Sequence, residues 1–406
     1  MQYPEPYVQP LIVEALRNSK AVDFEITEQS AVQNVQMARV QFGAYEDLDF
    51  EHALANSTTS QVCAYVIRKA LIRKHYLANT VSAWLTKHPE SQLRRHFKPS
   101  VHFELDYAEF LDDALVDAWD LHDSMSKNEA SDDPLVKEWW ILKPGMSDGG
   151  NGLRLFSSLE ELQGIFEECD PDSDEEENDE ANADSTGQAA MTSQLRHFLV
   201  QPYIHNPLLL PSYGKRKFHI RTYVLAVGAL KVFVYKEMLA LFAAKPYGLP
   251  GDTSASEIDL TQHLTNTCFQ DESTKESSVH RFWALHEESL TSDWQDSVCS
   301  QVCQITGEVF EAAAKEQMIH FQVIPNAFEV FGADFLVDED LNVWLLELNA
   351  YPDFKQTGSE LQEKVVGGLF NGVVHAAIEP FFTKRPALQG NDEQMILVKD
   401  IDLGRR

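Results

Sequence analysis

Residues 332–354, GADFLVDEDLNVWLLELNAYPDF, constrain this chain more than any other stretch. Apolar runs over 335–337 and 343–348, separated by Asp338-Glu339-Asp340, read as two antiparallel strands and a turn. Asp334 stands at the start of the first strand, and Glu347 and Asn349, two apart on the second, share one face. Pairing of the strands brings the three side chains together. Glu347 sits among Trp344, Leu345, Leu346 and Leu348, so its charge needs a counter-ion. Two carboxylates and an amide are hard oxygen donors, which Mg²⁺ accepts while keeping water and phosphate in its remaining positions. The plainer alternative is a hairpin with one carboxylate paired to a basic residue.

Three other stretches carry chemistry. In KRKFHIRTYVL (215–225), strand alternation puts Lys217, His219 and Arg221 on one face. Such a row of cations reads as a surface facing phosphate or carboxylate, since a core would need anions to receive it; the plainer alternative is a solvated face. A turn at Gly228-Ala229 leads to a further strand over 230–235. WWILKPGMSDGGNG (139–152) reads as a strand, Lys143, and a glycine loop, with a second strand from Leu153. Glycines let backbone N–H groups approach a polyanion, and a lysine beside them adds a point charge. The same pattern also suits a plain hairpin turn, and it is neither the Walker nor the Rossmann signature. LVQPYIHNPLLL (199–210) reads as an edge strand broken by Pro202 and Pro207, with backbone groups left for a purine.

Charge narrows the partners. The chain has 406 residues and a formal net charge of −31, which excludes a general nucleic-acid-binding surface. Residues 167–184 hold eleven acidic residues and no basic one, and composition predicts a disordered loop there. Residues 68–98 reverse the bias with eight Lys or Arg and one acid, Glu90. Apolar spacing predicts a helix over 60–86, ended by Pro89, whose basic face could receive an acidic partner or pair with nearby carboxylates. An acidic surface helix is expected over 104–122. No apolar run approaches the roughly 20 residues of a membrane helix, and the N-terminus lacks a signal-peptide pattern. The five scattered cysteines suit a reducing compartment without structural zinc.

Taken with HLTNTCFQ (263–270) and FEVFGADFLVDEDLNVWLLELNAYP, these pieces resemble the tubulin-tyrosine ligase family of the ATP-grasp superfamily, in family order over about 140–355. The resemblance implies an α+β fold: two ATP-grasp lobes clamping ATP, preceded by a smaller N-terminal domain. The expected division is 1–95, then 96–205 with a disordered insertion at about 167–190, then 206–385, and a tail over 386–406. It also implies ATP- and Mg²⁺-dependent acyl-phosphate chemistry, in which an amine displaces phosphate to form an amide. On the matched positions, Lys143 would contact ATP phosphates, and Gln201 with the backbone through Tyr203 would lie by adenine. Lys217 and Arg221 would face phosphate or the reacting carboxylate. His263, Thr265 and Asn266 would line the cleft, and Asp334, Glu347 and Asn349 would hold Mg²⁺.

Two positions depart from the family pattern. His219 replaces the usual Asp of KFDIR, and no arginine follows Tyr235-Lys236-Glu237 as the family's segment would have it. These variants resemble a fungal subgroup associated with cytoplasmic processing bodies and mRNA decapping factors. Two functions therefore stand side by side. One is a ligase adding an amino acid to a protein acceptor, with the acidic C-terminal tail of α-tubulin as the family's substrate. The other is a nucleotide-binding scaffold for decapping proteins. Both are expected in the cytoplasm, with neither membrane nor direct nucleic-acid binding.

Overall fold

A computed structural model describes residues 3, 5, 7–27, 37–131, 133, 136–145, 147, 150–168, 197–251, 258–265, 270, 277–357, 361–385 and 394–403, with the backbone alone at 355 and 356. Strands β1 (Arg39–Gln41) and β2 (Ser60–Val62) pair in parallel. Next come β3 (Val101–Glu104), β4 (Trp140–Pro144), β5 (Arg154–Phe156) and β6 (His197–Pro202), which form one antiparallel sheet in the order β3-β6-β4-β5. The remaining strands are β7 (Arg216–Val227), β8 (Lys231–Tyr235), β9 (Leu239–Pro246), β10 (Val279–Arg281), β11 (Phe328–Val337), β12 (Val343–Ala350) and β13 (Met395–Asp400). They build a larger sheet in the order β10-β9-β7-β11-β12, with β8 bridging β7 to β13.

Strand β7 is long because its residues are β-branched, aromatic or apolar at nearly every second position, and neighbouring strands β11, β9 and β8 pair along both of its edges. Its even-numbered residues, Phe218, Ile220, Val224 and Ala226, enter a core with helix Trp294–Glu316, whose Val298, Val302, Ile305 and Val309 recur at helical spacing. Its odd-numbered face divides in two. Tyr223 and Leu225 are covered by helices Val8–Arg17 and Gln362–Thr383, while residues 217–221 face the other sheet. The four-stranded sheet buries Trp140, Leu142, Phe198 and Val200 under helices Leu111–Ala114, Trp119–Glu129 and Leu159–Glu167. Its other face, with Ile141 and Lys143, turns toward the large sheet.

Residues before 96 are sewn into this frame. Val62 N–H donates to the Asn326 carbonyl (3.1 Å), and Tyr65 N–H donates to Glu329 (3.0 Å). Tyr65, Leu71, Leu77, Val81 and Trp84 belong to the same core as helix Trp294–Glu316.

Several sequence expectations are corrected. The single helix over 60–86 is strand β2, then helices Lys69–Ile72 and Lys74–Lys87. Pairing with β1 and the Asn326 carbonyl takes the first residues out of helical reach. The helix over 104–122 is broken into β3, a short 3-10 turn, and two helices starting at Leu111 and Trp119. Strand β6 is not an edge: β3 and β4 flank it, and Tyr203 N–H is taken by the Trp139 carbonyl at 2.7 Å. Asp334 is not at the start of β11 but seven residues into it. Finally, the 22-residue helix Gln362–Thr383 is long and apolar enough to cross a bilayer, which the sequence reading missed. It packs Val366, Leu369, Phe370 and Val373 against the large sheet as a core helix. Residues 169–196, with most of the acidic run, lie outside the described residues, as do 386–393 and 404–406 of the tail.

Candidate active site

The antiparallel register sets the site's charges in a row. Asp334 on β11 pairs directly with Arg221 on β7 and with Glu347 on β12. Arg221 donates to both Asp334 oxygens, from Nε at 2.5 Å and from the terminal nitrogen at 3.0 Å. Asn349 donates to Glu347 Oε1 at 3.1 Å and reaches Asp334 Oδ2 at 3.5 Å. His219 lies one step along β7. Its Nδ1 is 2.6 Å from Thr265 Oγ1, and its buried Nε2 has no hydrogen-bond partner among the described residues and stands 3.6 Å from Asp334.

These groups form one wall of an open cleft. The four-stranded sheet supplies the opposite wall. Lys143, at the end of β4, donates to Gln201 Oε1 on β6 at 2.7 Å, and Gln201 donates to Ser100 Oγ at 2.6 Å. Gly150, on the loop after β4, adopts φ +82°, a conformation that favours glycine, and brings its backbone to the rim. Lys217 Nζ donates to Tyr203 Oη (2.8 Å) and lies 4.1 Å over that ring, and Tyr203 Oη in turn is 3.1 Å from His263 Nδ1.

Burial sets the protonation. It lowers the Lys217 pKa to about 7, helped by Lys143. It lowers Lys143 to about 8, with Lys74 adding to the fall and Glu347 opposing it. It also lowers His263 to about 4, with Lys217 adding to the effect. His219 moves down for the same reason, against the pull of Asp334. Glu347 goes the other way: burial raises its pKa, but Lys74, Asn349, Lys143 and Arg221 outweigh that and bring it to about 2. The cleft therefore holds an ionised Glu347 together with amines poised near neutrality, a pattern typical of reactive and anion-binding sites.

Of the residues expected from sequence, Lys143, Gln201, Tyr203, Lys217, His263, Thr265, Asp334 and Glu347 all line this cleft. Arg221 and Asn349 are set behind it, as partners of Asp334 and Glu347. Asn266 lies outside the described residues. Two lysines were missed. Lys74 Nζ is 3.5 Å from Glu347 and donates to the Ser147 carbonyl at 2.8 Å, and Lys98 caps the Trp344 ring at 3.9 Å. Both belong to the basic stretch over 68–98, and Glu347's need for a counter-ion was the signal that could have linked them. Of the rest of that stretch, Arg68 holds Glu329 at 2.7 Å and Lys87 pairs with Glu316.

Two facing sheets with a polar, lysine-lined cleft between them define an ATP-grasp fold, a fold that implies ATP binding. A crystal structure described as the C-terminal domain of Kluyveromyces lactis Pby1, an ATP-grasp enzyme interacting with the mRNA decapping enzyme Dcp2, matches with a TM-score of 0.70 and 35% identity. The match covers 99% of this chain and 98% of that one. The tubulin-tyrosine ligase family model matches residues 56–386. A Schizosaccharomyces pombe protein named "Probable tubulin--tyrosine ligase" is 44% identical, over 99% of this chain and 96% of its own length. A Saccharomyces cerevisiae protein with the same designation, PBY1, is 42% identical over 90% of this chain, which spans about half (49%) of that relative. The chain belongs to the tubulin-tyrosine ligase family.

Proposed function

We propose that this chain binds ATP with Mg²⁺ in the cleft and uses it to join an amino acid to a carboxylate of a protein acceptor. The observation that carries this reading is Lys143 from the four-stranded sheet and Lys217 from the large sheet lining one cleft together with Asp334 and Glu347. Phosphoryl transfer asks mainly for positioned cations and metal-bridged phosphates. The donor set fits the metal: Glu347 is ionised and 27% exposed, and Asp334 stands opposite it in register. Asp334, Glu347 and Asn349 would hold Mg²⁺, which would neutralise charge on the transferring phosphate. In the proposed reaction the acceptor carboxylate oxygen takes the γ-phosphoryl group and ADP leaves. The amine then attacks the acyl carbon and phosphate leaves. Lys143 and Lys217 hold the phosphate oxygens, and Lys74 keeps Glu347 in place.

The test is intact-mass spectrometry of detyrosinated tubulin incubated with the chain, Mg-ATP and a mixture of amino acids. A gain of one residue that needs ATP and vanishes with Glu347→Gln is expected. No gain, with Mg-ATP binding confirmed, sinks the tubulin reading.

A second reading is a nucleotide-binding scaffold in decapping assemblies within processing bodies. His219 favours it, because an imidazole occupies a position where the family usually has a carboxylate. The interaction of the Kluyveromyces lactis neighbour with Dcp2 supports it too. Co-purification with a Dcp2-type protein by a chain that binds Mg-ATP but ligates nothing would favour this reading over the first.

A further inference from the structure

The four-stranded sheet turns Ile141 and Lys143 to the cleft, and its opposite face is covered by the segment 104–129. That segment buries Ala108, Leu111, Leu115, Ala118, Leu121 and Met125. Its outward side is unusual. Tyr107, Phe110, Val116 and Trp119 are 54%, 48%, 65% and 75% exposed, with the Tyr107 and Phe110 rings in edge contact at 6.2 Å. Large aromatic side chains left in water within one short segment mark an interaction site more often than scattered apolar residues do.

The charge around them says what the site accepts. Between Pro99 and Ser126 there are eight acidic residues and no Lys or Arg. Among the described residues, Glu109, Asp112, Asp113, Asp117 and Asp120 make no ion pair, and all but Asp113 flank the exposed rings within two residues. An anionic membrane surface or a nucleic acid is repelled here. A second copy of a chain with net charge −31 would bring like charge to like.

We infer that this outer face docks a basic segment of a partner protein, one whose Leu or Phe side chains seat against Trp119 and Phe110 while flanking Lys or Arg meet the carboxylates. The interaction is separate from the cleft, on the far side of the sheet, and does not rest on the ligase reading.

The probe is a labelled short peptide alternating Lys with Leu and Phe, followed by fluorescence anisotropy against the full chain at low and high salt. Binding that weakens with salt is expected. Trp119→Ser should weaken it about tenfold or more, as loss of an exposed aromatic anchor does. Met318→Ser, at another exposed apolar position, should leave it unchanged. Mg-ATP affinity should be the same in the parent and the Trp119→Ser chain. The inference fails if the peptide does not bind, if a Lys-Gly peptide binds equally well, or if Trp119→Ser has no effect. Sedimentation showing a dimer that Trp119→Ser dissolves would assign the face to a second copy and overturn it too.

Discussion

Arg221 and Asp334 hold each other through two hydrogen bonds, of 2.5 and 3.0 Å, where neither side chain is more than 7% exposed. A candidate metal ligand is thus already charge-balanced by its neighbour on β7. Removing one partner of such a pair leaves the other buried and uncompensated, which costs about 3–5 kcal/mol, whereas replacing both by apolar groups is often neutral. Arg221→Met should therefore destabilise the chain by about that amount in urea denaturation. The double variant Arg221→Met/Asp334→Leu should regain most of the loss. Equal stability of the single variant and the parent would show that the pair is solvated.

Nucleotide binding should take up protons. With pKa values of about 7 for Lys217 and about 8 for Lys143, both amines are substantially neutral at about pH 8. A polyphosphate beside them favours their charged forms, so net proton uptake is expected at that pH and should fade below about pH 6. Calorimetry of Mg-ATP binding in two buffers of different ionisation enthalpy reads this directly. Zero uptake would mean that neither lysine meets phosphate.

Stability should follow the same lysine with a definite sign. The folded pKa of Lys217, about 7, is below the unfolded value of 10.5, so the unfolded chain binds the extra proton between these limits. Stability contributed by this group therefore rises with pH across that window. Lys217→Met should stabilise the chain most below about pH 7, and the gain should shrink toward about pH 10. Thermal melts at a series of pH values check it, and a gain that is flat across them contradicts the assignment.

Glu347 has the opposite sign. Its folded pKa of about 2 lies under the ordinary 4.5, so its contribution is present above about pH 4.5 and is lost as pH falls toward 2. Glu347→Gln should lessen the acid sensitivity in that window and weaken Mg-ATP binding about tenfold or more, since a metal ligand and the partner of Lys74 go together. Unchanged Mg-ATP affinity in calorimetry would remove Glu347 from the metal site.

His219→Asp would restore the residue usual in the family. It places a second carboxylate beside Asp334, with Arg221 already committed, so the ligand-free variant should lose about 1–3 kcal/mol. Added Mg²⁺ should recover more stability in the variant than in the parent. Melting curves with and without Mg²⁺ decide this, and equal Mg²⁺ effects on both would argue against metal binding at Asp334.

The site was legible where its geometry is local. Lys217, His219 and Arg221 share a face because strand alternation alone requires it; the short turn sets the hairpin's register as far as Phe335 and Leu345, and a bulge between Asp334 and Phe335, which the sequence does not announce, then pairs Asp334 with Glu347. Lys74 was not legible in this way. It is 273 residues from Glu347 in sequence, and only the packing of its helix on the large sheet brings it there. The break between Val62 and Lys69 was hidden for a related reason: the apolar spacing fits a helix, and the hydrogen bonds that decide otherwise come from β1 and Asn326. Helix Gln362–Thr383 escaped notice because Glu363, Lys364, His375 and Glu379 interrupt its apolar pattern, although its buried side is continuous.

Lys74 ties the glycine loop's Ser147 carbonyl to Glu347 on the opposite sheet, and Lys98 rests on Trp344 beside it. A fragment trimmed to begin after Lys98 would retain both large sheets yet have a cleft of altered sign, its acids short of two neighbouring cations. It would also lay bare the seat that Leu77, Val81 and Trp84 fill in the core. Through Lys74 and Lys98 the first quarter of the chain lines the chamber alongside the two sheets.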